Sequence, residues 1–185
     1  MTFCCSKLLV KVAQEGMQEL IGPAEIREAT EEELSYERAF LALERLEDMY
    51  GHNGGCGLAL RSGRASFAHF LRQFGAESGL TDISFRLQPT HLRLYNGMKR
   101  LLQVINRQSD FHLQADELDD TWQCRLTGRL YPQQPDPLAV AGYYLAGLLQ
   151  EYLSWASGGK SYMLKSVECC HHNACLITIS QKALE

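Results

Sequence analysis

A chain of 185 residues is long enough for one domain with a hydrophobic core of ordinary size. Its hydrophobic fraction of 45%, its charged fraction of 22% and its formal net charge of -4 are typical of a globular protein. Lys and Arg form no run longer than Lys99-Arg100, which argues against nucleic acid as a partner, and no apolar run approaches the ~20 residues that cross a bilayer.

The N-terminus and the cysteines indicate the compartment. No charged segment followed by an apolar one begins the chain, so there is no sign of a secretory signal and we expect a cytoplasmic protein. An odd count of seven cysteines cannot pair completely, and in the cytoplasm thiols serve metal binding or burial. The sequence leaves open whether Cys4 and Cys5 are lipidated, buried or disordered.

Residues 1–107 are predicted to be mainly helical. Apolar residues recur at helical spacing in four segments, which are 7–20, 36–50, 65–74 and 90–106. Six of the seven residues in 51–57 are Gly, Asn or His, and this composition predicts a flexible loop between the second and third helices. The loop lacks the Lys-Ser/Thr ending of a phosphate-binding P-loop, so no nucleotide site is proposed.

Residues 108–183 are predicted to fold as β-β-α-β-β. Apolar residues alternate with polar ones around 111–115 and again around 122–128, which indicates a hairpin with a short acidic turn. A long helix over 142–155 is stopped by Ser157-Gly158-Gly159, and a second hairpin follows over 161–179. We therefore predict an α+β domain with an antiparallel four-stranded sheet, two hairpins joined by a long helix, packed against the N-terminal helical section.

Two segments of the chain resemble the 4-vinyl reductase domain family, also described as hydrocarbon-binding proteins. They are Gly54-Gly-Cys-Gly-Leu-Ala-Leu-Arg-Ser-Gly-Arg-Ala-Ser-Phe67 and Gly147-Leu-Leu-Gln-Glu-Tyr-Leu-Ser-Trp155, and the likeness extends over most of the chain. The resemblance implies one domain over residues 1–185, a fold shared with TRAPP-type trafficking subunits, a homodimer, and an apolar ligand under the sheet. It points to a tetrapyrrole or chlorophyll-pathway intermediate as a candidate ligand.

The second hairpin carries a group of sulphur and imidazole side chains, Cys169, Cys170, His171, His172 and Cys175. Cys and neutral His both bind Zn²⁺, so one interpretation is a zinc site. The resemblance implies a further Cys and a Glu at positions that Gly142 and Ser166 occupy here, and adjacent strand residues point to opposite faces. The incomplete ligand set favours the other interpretation, which is buried Cys residues with both His in a solvated turn. The cofactor stays unknown, with zinc as the candidate.

Apolar residues on the predicted helices are the candidates for a ligand pocket. A pocket wall and an ordinary core have the same sequence signature, and only the resemblance favours a pocket. His91 is added as a polar anchor or as an axial ligand of a tetrapyrrole metal, although a lone His is more often a cap or surface residue. Arg61 and Arg64 are either contacts to an acidic group or surface residues. The pocket candidates are Phe67, Phe70, Phe74, Phe85, His91, Leu94, Met98, Leu102, Tyr143, Tyr144 and Trp155.

Three functions follow from these observations. The first is a non-enzymatic module that binds a hydrophobic small molecule, and the second is a scaffold or assembly factor that binds proteins. The third is a reductase of a tetrapyrrole vinyl group, which we place last because the sequence has no flavin or nicotinamide fingerprint. A filled core with an exposed apolar patch would favour the scaffold over the ligand-binding module.

Overall fold

The computed structural model of the chain describes residues 6–21, 36–127, 137–170 and 174–184. None of the helices in these ranges is long and apolar enough to cross a membrane. The elements in chain order are α1 (Lys7–Ile21), α2 (Tyr36–Phe74), α3 (Ile83–Arg86), α4 (Thr90–Gln108), β1 (His112–Leu118), β2 (Thr121–Thr127), α5 (Pro137–Ser157), β3 (Tyr162–Cys170) and β4 (Ala174–Ala183).

The four strands form one antiparallel sheet in the order β1-β2-β4-β3. The sheet joins the two predicted hairpins through the β2–β4 pair, in which Cys124 faces Ile177. Alternate side chains of β2 and β4 are buried under the helices, as period-two patterning requires. The predicted fold class is confirmed, while the assignment of residues 1–185 to a single domain stays a prediction.

The predicted loop at 51–57 is wrong, because α2 continues through it to Phe74. Gly51 alone departs from helical geometry, with φ 71 and ψ 169, and it kinks the helix. Glycine costs a helix roughly 1 kcal/mol relative to alanine, which is why the composition suggested a loop. Packing of α2 against α1 and α5 outweighs that local cost.

Glycines also set how closely the helices approach one another. A Cβ added to Gly63 of α2 would overlap the backbone carbonyl oxygen of Tyr144 in α5, and one added to Gly147 of α5 would overlap that of Leu60 in α2. A Cβ added to Gly16 of α1 would overlap Oγ of Ser66 in α2 and lie 2.6 Å from its backbone nitrogen. Helix α2 therefore approaches α1 and α5 closely at positions where no larger side chain fits.

The two outer strands of the sheet have different features. On β1, the side chain of Asn106 makes two hydrogen bonds to Leu113, accepting from its N–H at 2.7 Å and donating to its carbonyl at 2.9 Å. On β3, the pairing with β4 shifts register on both sides of Leu164, and Lys165 beside it is exposed. At the end of α5, Gly158 and Gly159 have φ of 81 and 98, so the predicted helix stop is confirmed.

Two hydrophobic clusters hold the described elements together. The large one lies between the sheet and helices α2, α4 and α5. The small one joins Val10 and Met17 of α1 to Ala59 of α2 and Val140 of α5. Helix α1 thus packs on both clusters, with Val12 in the large one and Val10 and Met17 in the small one.

Candidate functional site

Four aromatic side chains form the centre of the helical layer, and we call them the aromatic cluster: Phe67, Phe85, Tyr152 and Trp155. The Phe67 ring lies 6.0 Å from that of Tyr152 and 5.7 Å from that of Trp155, and the Phe85 and Trp155 rings are nearly parallel at 6.3 Å. These edge and offset arrangements are favourable for aromatic pairs. Trp155 is half-buried, whereas the other three rings are buried.

The Tyr152 hydroxyl fastens the aromatic cluster to α4. It donates a hydrogen bond to the carbonyl oxygen of Arg93, and the carbonyl oxygen of Leu94 lies 3.2 Å away. Burial raises the pKa of Tyr152, so the hydroxyl keeps its proton and acts as a donor. A Cβ added to Gly97 would overlap this hydroxyl and lie 2.6 Å from Cζ of Phe85, which shows how tightly α4 is packed here.

The structure brings eight of the eleven predicted pocket residues together. Trp155 packs against the large cluster, and seven of the candidates are buried members of that cluster: Phe67, Phe70, Phe74, Phe85, Leu94, Met98 and Leu102. Tyr143 and Tyr144 pack instead against the small cluster near α1, and His91 is exposed on the first turn of α4. Use of these residues as a ligand pocket stays a prediction. Tyr152, the most central member, was not among the candidates.

The arginines of the glycine-rich segment have different surroundings. Nη2 of Arg64 donates to Oε1 of Gln150 at 2.8 Å, and Nε2 of Gln150 donates to the carbonyl of Tyr162 at 2.7 Å. This chain of hydrogen bonds links α2, α5 and β3. Arg64 therefore has a structural contact, whereas Arg61 is exposed.

The zinc site that was one interpretation of the second hairpin is not found in the described residues. Cys169 and Cys175 face each other across β3 and β4, but no three His, Cys, Asp or Glu side chains in the described ranges are arranged to hold a metal. A Cβ on Gly142 would lie 2.6 Å from Sγ of Cys175 and 3.7 Å from Sγ of Cys169. The residue of α5 that faces both sulphurs therefore has no metal-binding side chain. The side chains of Cys170, His171 and His172 lie outside the described residues. The zinc prediction is withdrawn.

Comparison with known proteins finds structural neighbours only. No protein-family model matches the chain, and no curated protein matches it. A doubly substituted Tt H-NOX has a TM-score of 0.60 and 14% identity, covering 95% of this chain and 94% of its own. An oxygen-binding H-NOX domain related to soluble guanylate cyclases has a TM-score of 0.57 and 14% identity, covering 96% and 94%. An H-NOX protein from S. oneidensis has a TM-score of 0.57 and 11% identity, covering 97% and 99%.

This chain has the H-NOX fold. The neighbours match it over almost its whole length, and their low identities limit the likeness to the fold. The resemblance to the 4-vinyl reductase family, with its TRAPP-type fold, was therefore wrong. The expected chlorophyll-pathway ligand depended on that resemblance and is not retained.

The contact between α2 and α5 explains why the glycine-rich segments resembled those of another family. Gly63 and Gly147, which carried much of the resemblance, lie where α2 and α5 touch backbone to backbone. Glycine is required wherever two helices approach so closely, whatever the family. The glycines of these segments thus indicate a close contact between two helices and do not identify a protein family.

Proposed function

We propose that this chain is a non-enzymatic sensory module that binds an apolar small molecule at the aromatic cluster. The observation that carries the proposal is the connection of Tyr152 to the α4 backbone. A ligand that moves the rings of α5 must strain or break the hydrogen bond to the Arg93 carbonyl, so binding changes the position of α4. Such coupling is sufficient for sensing and requires no chemical step.

Heme is the ligand that the structural neighbours suggest for this chain. One structural neighbour was studied for its heme redox potential and porphyrin distortion, and two H-NOX neighbours were solved as an oxygen complex and in the Fe(II)NO state. In such a sensor the iron needs an axial donor from the protein, for which histidine, thiolate, methionine and tyrosinate serve. A heme in this chain would therefore need an axial ligand from one of these side chains.

The described histidines do not fit heme ligation. Of the four, three are exposed, and the ring of buried His69 lies between carboxylates of Glu15 and Glu19. The exposed three are His52, His91 and His112. Cys124 is buried in the sheet, and burial raises its pKa to about 12, so it is a neutral thiol in this structure. We therefore propose an organic ligand in place of a histidine-ligated heme.

Trp155 marks the side from which such a ligand would reach the cluster. Trp155 is the half-buried member of the aromatic cluster, and the nearly parallel ring of Phe85 next to it is buried. Burial of apolar ligand surface at these rings supplies the binding free energy, at roughly 25 cal/mol per Å² before the costs of association. An uncharged aromatic or aliphatic molecule suits this environment.

Two tryptophans make the proposed site directly testable by fluorescence, because the chain has only Trp122 and Trp155. Trp122→Phe leaves Trp155 as the sole emitter, and Trp155→Phe leaves Trp122, which is buried against Tyr162 in the sheet. Bromobenzene is an apolar molecule that quenches at contact. We expect saturable quenching of Trp155 and little quenching of Trp122. At tenfold Kd it should also raise the unfolding free energy by about 1.4 kcal/mol.

Two results would count against the proposal. Equal or non-saturable quenching of both tryptophans would show that bromobenzene does not bind at the aromatic cluster. Stoichiometric uptake of hemin by the purified protein, with a Soret band from histidine-ligated iron, would overturn the preference for an organic ligand. The matched tryptophan variants separate binding at the site from nonspecific partition.

A protein-binding surface is the second candidate function. Ile83 and Leu87 lie four residues apart, on and just after α3, and their exposures are 76% and 79%. We expect Leu87→Asp to leave thermal stability unchanged, since exposed substitutions usually cost under about 0.5 kcal/mol. If this surface binds a protein, including a second copy in the predicted homodimer, Leu87→Asp should lower the mass measured by light scattering. An unchanged mass alongside an unchanged set of copurifying proteins argues against this candidate.

A further inference from the structure

The segment that contains α3 is attached to the rest of the chain by one deeply buried side chain. Every residue of 81–89 is exposed except Phe85, which is 1% exposed, and the half-buried Gln88. The segment follows Gly79, whose φ of 68 favours glycine, and it ends at Pro89, directly before α4. We call this segment the α3 lid.

Phe85 holds the lid against the aromatic cluster. Its ring lies 6.3 Å from that of Trp155 at an interplanar angle of 10°, and a Cβ on Gly97 would lie 2.6 Å from its Cζ. The two aliphatic side chains of the lid, Ile83 and Leu87, are exposed and add little to this attachment. A segment with so few buried apolar contacts opens at a lower free-energy cost than the core does.

Two arginines of α4 add to the attachment from outside the cluster. The Arg100 guanidinium lies over the Phe85 ring, with Cζ 5.2 Å from the ring centroid, and its Nη1 donates to the carbonyl oxygen of Gly79 at 2.9 Å. Nη1 of Arg93 donates to the carbonyl oxygen of Arg86 at 3.2 Å. Arg100 thus contacts both the buried ring and the glycine that precedes the lid, so it is the stronger of the two attachments.

The backbone hydrogen bonds of α3 are internal to the lid. The N–H of Arg86 donates to the carbonyl oxygen of Asp82 at 3.1 Å, and the N–H of Leu87 donates to that of Ile83 at 3.0 Å. A single helical turn is not stable without packing, because its nucleation is unfavourable. A lid that leaves the aromatic cluster therefore loses this turn, and its amides become open to hydrogen exchange.

We propose that the α3 lid is the gate of the aromatic cluster and that Arg100 holds this gate closed. When the lid lifts, the Phe85 ring leaves Trp155, and an apolar molecule reaches the cluster from the side on which Trp155 is half-buried. Reclosure then shields the bound molecule from water. The role as a gate rests on the proposed ligand site, whereas the opening of the lid is a property of the chain itself.

Hydrogen exchange tests the opening without any ligand. In Arg100→Gln, we expect the amides of Arg86 and Leu87 to exchange about tenfold faster than in the wild-type protein, since a cation–π contact and a hydrogen bond from a charged group are lost. Exchange of the α5 amides (Pro137–Ser157) should not change. Arg107→Gln removes an exposed arginine of the same helix and should leave both sets of amides unchanged.

Stopped-flow quenching of Trp155 by bromobenzene, in the Trp122→Phe background, tests the gate. A molecule passes the lid in both directions, so Arg100→Gln should raise the association and dissociation rate constants by a similar factor, up to about tenfold. The Kd should then stay within about twofold of the background value. Arg93→Gln should act in the same direction with a smaller effect, which keeps the test decisive if Arg100→Gln folds poorly.

The exchange and quenching data separate the possible failures. Lid amides that exchange at the wild-type rate in both arginine variants, or only together with the α5 amides, overturn the lid as a separate unit. Faster lid exchange with unchanged rate constants, or a change in the dissociation rate constant alone, overturns its role as a gate. Absence of saturable quenching in the background protein contradicts the ligand site and with it the gate, and the exchange data then decide the opening of the lid.

Discussion

Gly147→Ala is expected to lower the free energy of unfolding by about 3 kcal/mol or more, which corresponds to a fall in Tm of roughly 10 °C for a chain of this size. The added Cβ would overlap the carbonyl oxygen of Leu60 and lie 3.1 Å from the amide nitrogen of Arg64. Backbone atoms cannot move aside as a flexible side chain can, so α2 and α5 must separate. Chemical denaturation followed by circular dichroism measures the effect.

Gly57→Ala provides a matched control on α2. A Cβ on Gly57 meets nothing within 4 Å, so the same substitution there should stabilise the helix by up to about 1 kcal/mol. A stable Gly147→Ala protein would mean that α2 and α5 are not in backbone contact. Since this contact fixes α5 and hence the aromatic cluster, the result would also remove the basis for the proposed site.

Tyr152→Ala is expected to cost about 4 kcal/mol of unfolding free energy, near the centre of the range for deleting a large buried aromatic side chain. The ring is fully buried between Phe67, Trp155 and the α4 backbone, and its loss leaves a cavity beside Gly97. The hydroxyl's hydrogen bond to α4 is lost at the same time. Thermal denaturation of the variant measures the loss.

The cavity offers a second measurement on the same variant. Phenol has the size and the hydrogen-bonding group of the deleted side chain, so it should raise the Tm of Tyr152→Ala by more than it raises that of the wild-type protein. Tyr50→Ala is the control, because Tyr50 is 56% exposed and its removal should change stability little. Failure of phenol to raise the Tm, together with a small cost of the substitution, would show that Tyr152 is not the central packing residue.

The fold was predictable wherever a pattern depends on burial alone. Alternation over Trp122, Cys124 and Leu126 identified β2, since one face of an antiparallel strand is buried and the other is not. The stop at Gly158-Gly159 ended α5, because both residues adopt positive φ that other residues avoid. Local rules succeed at these positions because the tertiary structure imposes no competing requirement.

Prediction failed where a distant contact decides the outcome. The glycines of 51–57 predicted a loop, but packing of α2 against α1 and α5 keeps that segment helical. Gly63 and Gly147 were read as signs of a family, whereas each is required by the backbone of the other helix. Long-range packing of this kind leaves no trace in local propensity.

The site was only partly predictable for the same reason. Periodicity identified Phe67, Phe85 and Trp155 as apolar, but Tyr152 becomes central only because its hydroxyl reaches a carbonyl of α4, 59 residues away in sequence. His69 resembled any other lone histidine until α1 placed Glu15 and Glu19 beside it. A His facing Glu residues at i and i+4 of another helix can be recognised once the helices are paired, and not before.

The edges of the sheet have a consequence for self-association. An outer strand with free N–H and C=O groups can recruit a strand from another molecule and begin aggregation. On β1, the Asn106 side chain satisfies both backbone groups of Leu113, so that stretch offers no hydrogen-bonding template. On β3, the register shifts around Leu164 and the exposed Lys165 interrupt the regular edge. The sheet is thus protected at both sides against uncontrolled growth into intermolecular β-structure, by a side chain at one edge and by irregular pairing at the other.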